Sequence, residues 1–598
     1  MNFKKISFVL ATSVLTFTTA TNAVLGPIPI YLNTEYRTDA PVIGSIASTL
    51  TFTEIDIKAT GANTFLDFLA TIPSIALSNP QGNVPGVFIR GGRSEDTLFV
   101  LDGVSMTSAD SLNGAIEYGL TTIPLNDIEK IEIVKGAGSV LYGSGAISGV
   151  ISITTKNGAE GTQGTVSARF GTHNSKTYIL SASGGGKDGF VRFSHNNYKT
   201  DGISSQKGNT EKDSIKNQST QIKLGNERFN ISYLKSRDRA EYDSFGGADG
   251  GELGDTKLRK VTLNTKKTFS NTWKSKISIA QTKSSRDSGI NAVTIGDKYK
   301  TTNITLFNDI KIDEALLNIG MSKIDDKNTT KNKKMSTNNL FVNWQKNIKS
   351  IDINTGTRYI KHNKFGNKAV YSLGAAKYLD SGIKLTASHG TSFKAPTLKN
   401  LYGWDFSGDA PSTGANLYLK PETSKNTELG IDRQHSWGNF SAKVYQNKVK
   451  NAIDTEGVWN TANYSYKNIA KLSTKGVELS INTNISGYDI DFSHSQNKSR
   501  VKDETVQALK RPKSITNLIM NKQYGKFNQK VQVIKKSSHD IANNLKGFTL
   551  LNLSTSYDIN QQAKVLINVN NATNKKYQTV NGYNELERTI EMSLTYNF

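Results

Sequence analysis

The chain has 598 residues, of which 74 are basic and 51 acidic, giving a formal net charge of +23. It contains no cysteine, which excludes a disulfide framework, a lipid-modified cysteine and a thiolate metal site. With 50 glycines, 11 prolines and 36% hydrophobic residues, its composition is typical of a chain dominated by strands and turns and not of several soluble enzyme domains in succession.

The N-terminus has the pattern of a secretory signal peptide. Lys4 and Lys5 precede an apolar run over residues 6–17, and a small-residue cleavage site ends at Ala23. We therefore predict a signal peptide over residues 1–23; a short transmembrane anchor is the alternative. In an exported chain the excess of basic residues predicts contact with anionic lipid headgroups, and a codon bias toward lysine is the alternative explanation. Nucleic acid is not an expected partner.

An apolar segment with two prolines follows the cleavage site. It reads GPIPIYLN over residues 26–33, and the prolines keep it extended because they cannot continue a helix. Such a segment can add a strand to the sheet edge of a partner protein through its main-chain groups. A disordered leader is the alternative interpretation.

The next hundred or so residues show the pattern of a small mixed domain. A short helix is predicted after Asn63 or Thr64, with an apolar side formed by Phe65, Leu66 and Leu69. Short apolar runs separated by glycine then predict four buried strands, at residues 87–89, 98–101, 131–134 and 150–153.

The remainder of the chain repeats one pattern, in which alternating runs of about ten residues are separated by turns and polar loops. Val166, Ala168 and Phe170 alternate near its start, and residues 592, 594, 596 and 598 alternate at its end. Because every backbone polar group must be paired in a bilayer, alternating strands in an exported chain predict a closed barrel. The length available suits about 22 strands, the size of plugged transporters.

Two blocks of motifs carry a resemblance. The first contains Arg90-Gly91, Leu101-Asp102-Gly103, the strand from Ile131 to Gly136, and Leu141-Tyr142-Gly143. The second contains FKAPTL from Phe393, NLYLKPE from Asn416 and NNATNKKY from Asn570. Together the two blocks resemble the plug and barrel signatures of the TonB-dependent outer-membrane receptors.

The resemblance implies an all-β membrane protein of the bacterial outer membrane. Residues 158–598 are expected to form a large antiparallel transmembrane β-barrel of about 22 strands. Residues 41–157 are expected to form a mixed α/β plug domain inside the lumen, after a periplasmic leader over residues 24–40. We expect a monomeric barrel in contact with outer-membrane lipid.

The resemblance also implies energy coupling across the periplasm. The leader is then expected to contain the Ton box, which pairs with TonB, itself driven by the ExbB-ExbD complex. The Ton-box residues are Ile28, Pro29, Ile30, Tyr31, Leu32 and Asn33. An enzyme is not expected, since the seven histidines are scattered without metal-binding spacing and no catalytic cofactor is implied.

The sequences of the motifs favour one branch of the family. The stretches SHGTSFKAPTLKNLYG and LKPETSKNTELG and the short loops resemble the cobalamin (vitamin B12) receptors; uptake of haem or of a ferric siderophore is the alternative. Polar turns at the plug apex are expected to touch the substrate, or else to be ordinary turn residues. Their candidate residues are Gln81, Asn83, Ser108, Ser111 and Asn113.

Cobalamin receptors of this family use Ca²⁺ to order two neighbouring extracellular loops through acidic residues. The corresponding acids here are Asp201, Glu211, Asp213, Asp243 and Asp255. Since Ca²⁺ takes six to eight oxygen ligands, five carboxylates completed by carbonyl oxygens could form a site. Lys212 and the glycine-rich run at 246–251 depart from the family pattern, so a solvated loop with ordinary acidic residues is the alternative.

Overall fold

The computed structural model describes residues 46–60, 62, 64–78, 85–106, 123–243, 252–290, 296–403, 414–457, 464–501, 508, 510–538 and 545–598. Among these residues, no helix has both the length and the apolar character needed to cross a membrane.

The N-terminal part of the described chain forms a mixed α/β unit, which we call the plug. Its elements are β1 (Ser48–Thr53), α1 (Glu54–Ala59), α2 (Phe65–Ala70), β2 (Ile75–Ser78), β3 (Gly86–Ile89), β4 (Thr97–Leu101), β5 (Val104–Ser105), β6 (Ile128–Lys135), α3 (Ser139–Tyr142) and β7 (Gly149–Thr155). Five of the strands form one sheet in the order β1-β6-β7-β4-β5, and β2 pairs with β3. Each of the four predicted strands lies within one of these elements.

Local sequence explains the helices of the plug. Thr64 caps α2 in a capping box with Asp67, and the helix buries Phe65, Leu66, Phe68 and Leu69 in the plug core, as the sequence predicts. Helix α3 was not predicted, because its one turn is too short to show a helical period. It ends at a glycine with φ +91°, a conformation that L side chains rarely adopt.

In the described part of the chain, 22 antiparallel strands close into a barrel. The first eight are β8 (Gly161–Gly171), β9 (Ser175–Gly186), β10 (Gly189–Thr200), β11 (Ile215–Gly225), β12 (Phe229–Tyr242), β13 (Glu252–Ser270), β14 (Trp273–Ile290) and β15 (Lys298–Ile312). Next come β16 (Ala315–Asn328), β17 (Lys333–Ile348), β18 (Ile351–His362), β19 (Gly366–Tyr378), β20 (Ile383–Lys394), the helix α4 (Leu398–Tyr402), β21 (Glu422–His435) and β22 (Gly438–Glu456). The last seven are β23 (Ser465–Ile485), β24 (Tyr488–Val501), β25 (Ser514–Tyr524), β26 (Phe527–Lys536), β27 (Phe548–Asp558), β28 (Ala563–Asn570) and β29 (Thr589–Asn597).

The last strand closes the barrel against the first. Strand β29 pairs with β8, and beyond the strand Phe598 and Gly164 exchange two backbone hydrogen bonds of 2.8 and 3.0 Å. A Cβ atom added at Gly164 would lie 2.1 Å from Cζ of Phe598. The missing side chain of Gly164 therefore makes room for the terminal ring.

Connections differ between the two ends of the barrel. At one end, which we call the turn end, strands are joined by short turns such as 226–228 and 349–350. The other end, which we call the loop end, carries long connections such as 201–214, 395–421 and 571–588. Apolar side chains alternate along the strands and face outward. The predicted fold class, a large antiparallel barrel with a mixed α/β plug, is confirmed.

Barrel side chains hold the plug inside the lumen from several directions. Arg358 of β18 donates to the carbonyl oxygens of Val140 (2.6 Å) and Leu141 (2.9 Å). Lys260 of β13 donates from Nζ to the carbonyl oxygen of Leu101 at 3.0 Å. These contacts are made to backbone carbonyl oxygens of the plug, so they do not depend on which side chains the plug carries at these positions.

Candidate functional site

A buried ion-pair network joins the plug to strands β21 to β23. Arg90 donates from Nε to Oε1 of Glu478 (2.9 Å) and from Nη2 to Oε2 of the same carboxylate (2.8 Å), and it also pairs with Glu428. Lys135 of the plug binds Glu478 at 2.9 Å. The Arg90 guanidinium also lies 4.4 Å from the ring centroid of Tyr445, a favourable cation–π distance.

The charges of this network depend on one another. The side chains of Arg90, Glu428 and Glu478 are only 4%, 3% and 10% exposed. Burial alone would lower the pKa of Arg90, but the carboxylates of Glu428 and Glu478 outweigh burial and raise it. Removal of one partner would therefore leave an uncompensated buried charge.

A second network lies beside the first. Arg93 donates from Nη2 to Oδ1 of Asp96 (2.7 Å) and pairs with Glu422 at the start of β21. Lys394 at the end of β20 lies 3.8 Å from Glu422 and donates to the carbonyl oxygen of Glu95 at 2.8 Å. The two networks therefore attach the plug to one side of the barrel wall.

Two large cavities lie between the plug and the wall near the turn end of the described chain, with volumes of about 1470 Å³ and about 870 Å³. The ion pair between Arg192 and Asp127 (2.6 Å) lines the larger one. The pair between Lys156 and Glu54 (2.6 Å) also lines it. Charged side chains therefore line this cavity.

An acidic cluster lies at the loop end. Carboxylate oxygens of Glu211, Asp213 and Asp243 all lie within 4.8 Å of one another. Asp213 accepts from the backbone N–H of Ser205 (2.7 Å), and Asp243 accepts from the backbone N–H of Gln206 (2.9 Å). These hydrogen bonds orient two of the three carboxylates toward a common centre.

Unused oxygen atoms make this acidic cluster fit a cation. Oε2 of Glu211 and Oε1 of Gln206 are buried, and neither has a hydrogen-bond partner among the described residues. Burial and the negative charges of Asp243 and Glu241 raise the pKa of Asp213, so carboxylates this close together repel one another unless a cation neutralises them. Hard oxygen ligands of this kind suit Ca²⁺.

The other two predicted acids have different partners. Asp255 of β13 binds Arg237 through two hydrogen bonds of 2.9 and 2.6 Å and lies 3.3 Å from Lys257. Asp201 accepts a hydrogen bond from Asn174 at 3.2 Å. The structure therefore brings together three of the five predicted acids.

The remaining predicted sites lie outside the described residues. These are the Ton-box residues Ile28, Pro29, Ile30, Tyr31, Leu32 and Asn33, and the apical residues Gln81, Asn83, Ser108, Ser111 and Asn113.

Sequence reasoning missed the roles of the plug–barrel ion pairs. Glu422 and Glu428 belong to a recognised motif, but their partners lie more than 300 positions away in the sequence. One signal was available: Glu428 and Glu478 directly precede or follow the exposed apolar residues Leu429 and Val477. By strand alternation they must point into the lumen, where a carboxylate requires a basic partner.

Comparison with known proteins gives a family match over most of the chain. Residues 41–150 match the TonB-dependent receptor plug domain, and residues 148–572 match the TonB-dependent receptor-like β-barrel. A vitamin B12 transporter from Vibrio vulnificus is 27% identical over 608 residues, covering 94% of this chain and 95% of the relative. A vitamin B12 transporter from Photobacterium profundum is 25% identical over 604 residues, with the same coverage of 94% and 95%.

Solved structures resemble the fold over a similar extent. The siderophore receptor PirA from Acinetobacter baumannii superposes with a TM-score of 0.76 at 18% identity, covering 92% of this chain and 98% of that one. At this identity the likeness concerns the fold alone.

Proposed function

The chain belongs to the TonB-dependent receptors, and from this premise we propose that it transports cobalamin or a related corrinoid across the bacterial outer membrane. The family is one of outer-membrane transport proteins without enzymatic activity, so the predicted localisation and the prediction that the chain is not an enzyme are confirmed. The substrate is the part that we propose.

The observation that carries the substrate assignment is the likeness to vitamin B12 transporters over nearly the whole length of both chains. The similar lengths of this chain and these relatives support the assignment. If the extracellular loops differed greatly in length, large parts of one chain would have no counterpart in the other. The likeness to a siderophore receptor supports only the shared fold. Uptake of a ferric siderophore or of haem is the alternative substrate class.

The direction of transport follows from the connections between strands. Outer-membrane barrels have short turns in the periplasm and longer loops outside, so the loop end faces the exterior and the turn end the periplasm. Substrate binds first at the loop end, above the ion pairs of Arg90 and Arg93 that hold the plug closed. The cavity of about 1470 Å³ near the turn end then provides the exit side of the route.

Energy must come from elsewhere, because the outer membrane has no ATP supply or proton gradient of its own. In the proposed mechanism, TonB pairs with the segment from Ile28 to Asn33 as an added strand, and the ExbB-ExbD complex supplies the force. Pulling on the N-terminal leader acts first on β1 and α1, and α1 contains Glu54 of the pair that lines the large cavity. Rearrangement there opens a path along the wall.

We also propose that the acidic cluster holds one Ca²⁺ ion. Glu211, Asp213 and Asp243 would supply carboxylate oxygens, and Gln206 its unpartnered side-chain oxygen. Bound Ca²⁺ would neutralise the like charges and order the 201–214 loop for substrate. Without it, loops ordered only on binding would weaken affinity through lost conformational entropy.

A binding titration of the purified barrel with cyanocobalamin, in millimolar Ca²⁺ and again in chelator, tests both proposals. Tight binding that weakens in chelator supports the corrinoid and the metal site. Equally tight binding in both conditions supports the corrinoid as substrate and rejects the metal site. A lack of binding in both, together with binding of haem or a ferric siderophore, would reject the corrinoid in favour of the iron branch.

The metal site can also be tested without substrate. Asp243→Asn should abolish Ca²⁺ binding measured by calorimetry. Asp201→Asn changes an acid of the 201–214 loop that lies outside the cluster, and it should leave Ca²⁺ binding unchanged. Equal affinities in the wild type and Asp243→Asn would contradict the assignment.

A further inference from the structure

A continuous row of basic side chains crosses six neighbouring strands on the outside of the barrel, from β12 to β17. Each member is directly opposite the next in the strand register. The members, which we call the basic ladder, are Lys235, Arg259, Lys283, Lys300, Lys327 and Lys334. Side chains directly opposite each other in a sheet have Cβ atoms about 4.5–5.5 Å apart, and like charges in such positions repel.

The ladder faces outward and not into the lumen. On three central strands, the exposed apolar residues Val261, Ile279 and Ile304 are an even number of positions away from ladder residues, so they share the same face. Lys235, Arg259, Lys283 and Lys334 are exposed, and the other two members are half-buried. The row is therefore presented to whatever surrounds the barrel.

Acidic side chains on the same face do not neutralise the ladder. They pair with basic residues beside it: Arg237 with Asp255 (2.6 Å), Lys257 with Asp287 (3.4 Å) and Lys323 with Asp325 (3.4 Å). Of the ladder, Lys334 alone approaches an acid in the described part of the chain, at 4.0 Å from Asp325. The structure thus leaves five adjacent positive charges without an ion pair among the described residues.

The height of the ladder identifies the surrounding medium. A second directly paired row lies four residues from the ladder toward the turn end on strands β12 to β15. This row is apolar and consists of Ile231, Leu263, Ile279 and Ile304. Four residues correspond to roughly 13 Å along a strand. Because the loop end faces the exterior, the ladder lies above the hydrocarbon layer, at the headgroups of the outer leaflet.

We propose that the basic ladder binds the phosphate groups of a phosphorylated glycolipid in the outer leaflet. Phosphate oxygens accept charge-assisted hydrogen bonds from lysine and arginine, and one lipid with two phosphates would span neighbouring ladder members. Bound phosphates remove the repulsion along the row. The proposal rests on the outer-membrane location and not on the identity of the transported substrate.

Exposed lysines at the turn end provide a matched comparison. Lys187, Lys311, Lys349 and Lys377 are exposed, but each belongs to a different turn region or strand end. They form no directly paired row. A general affinity of basic side chains for anions would involve both groups, whereas a phosphate-binding row would involve the ladder alone.

The test uses the full-length barrel in detergent and measures binding of fluorescent bisphosphorylated lipid A by anisotropy at low salt. The ladder variant combines Arg259→Gln, Lys283→Gln, Lys300→Gln and Lys327→Gln. The control variant combines Lys187→Gln, Lys311→Gln, Lys349→Gln and Lys377→Gln, with the same change in net charge. Heat-modifiable migration on gels establishes that each variant is a folded barrel, and the double variant Lys283→Gln with Lys300→Gln replaces the fourfold variant if folding fails.

We expect the ladder variant to bind lipid A about tenfold more weakly, because four partly exposed charge contacts with phosphate are lost together. The control variant should bind as the wild type does, and dephosphorylated lipid A should not distinguish the three proteins. Unchanged affinity in the ladder variant would overturn the proposal. Equal weakening in both variants, or an equal effect with phosphatidylglycerol vesicles, would also overturn it by showing a non-specific charge effect.

Discussion

Arg90 of the plug and Glu478 of strand β23 form a bidentate ion pair inside the barrel, 388 positions apart in the sequence. Arg90 has a left-handed backbone, with φ +53°, and lies in the tight turn after β3. A strained backbone position that aims a charged side chain at the wall is consistent with a functional contact. We infer that this pair is a main restraint on plug movement.

Glu478→Gln should weaken the attachment of the plug. The substitution removes the negative charge that the buried Arg90 and Lys135 both contact. Loss of one partner of a buried ion pair lowers the free energy of unfolding by about 3–5 kcal/mol. We expect the plug to unfold at a lower urea concentration while the barrel persists, measured by spin-label mobility in the plug. Glu456→Gln is the control, because Glu456 forms an exposed pair with Lys467 that should contribute less than about 1 kcal/mol. Identical urea midpoints for the two variants would contradict the inference.

Calcium affinity should fall on acidification at a higher pH than ordinary aspartates would give. The pKa of Asp213 is raised by burial and by Asp243 and Glu241, so this ligand takes up its proton before an aspartate at about 3.9 does. Below the raised pKa, protons compete with the metal, and affinity drops about tenfold per pH unit for each proton displaced. Calorimetric titrations across a pH series check this, and a constant affinity down to about pH 4 would rule out Asp213 as a ligand.

Gly164→Ala should weaken closure of the barrel. The added Cβ would meet the ring of Phe598, and overpacking of this kind costs about 1–3 kcal/mol. We expect the folded form to convert to the unfolded form at a lower temperature in gel-shift assays. Gly184→Ala on the neighbouring strand β9 is the control, because no atom lies within 4 Å of its added Cβ. Equal transition temperatures for both variants would show that the ring can move aside without loss.

Ile30→Pro should abolish transport and leave substrate binding intact. Proline removes a backbone N–H that an added strand would donate to TonB, whereas the proposed substrate site at the loop end does not include Ile30. The conservative variant Ile30→Val keeps that N–H and should transport normally. Normal uptake by Ile30→Pro would remove the Ton-box assignment.

Much of the fold could be predicted because its signals are local. Alternation along the strands indicates a barrel, and Thr64 with its following apolar residues indicates helix α2. The short helices α3 and α4 were missed, since four or five residues show no reliable period. Boundaries in the loops likewise depend on contacts that a local pattern does not contain.

The candidate sites were less predictable because they depend on distant pairing. Glu211 and Asp213 are close in sequence, and Asp243 joins them because β11 and β12 are adjacent strands. Asp255 instead forms an ion pair with Arg237 on the neighbouring strand. The sequence alone does not predict this pair, because it depends on the register between the two strands. The same register produces the basic ladder, whose members are separated by 7 to 27 positions.

The most direct test of the proposed function is uptake of radiolabelled cyanocobalamin by Gram-negative cells that lack their own cobalamin receptor and express this chain. The account predicts accumulation that requires TonB: cells with TonB should take up the label, and cells lacking TonB should bind it only at the surface. No accumulation despite a folded barrel in the outer membrane would contradict the corrinoid assignment. Equal accumulation with and without TonB would contradict the energy-coupled mechanism.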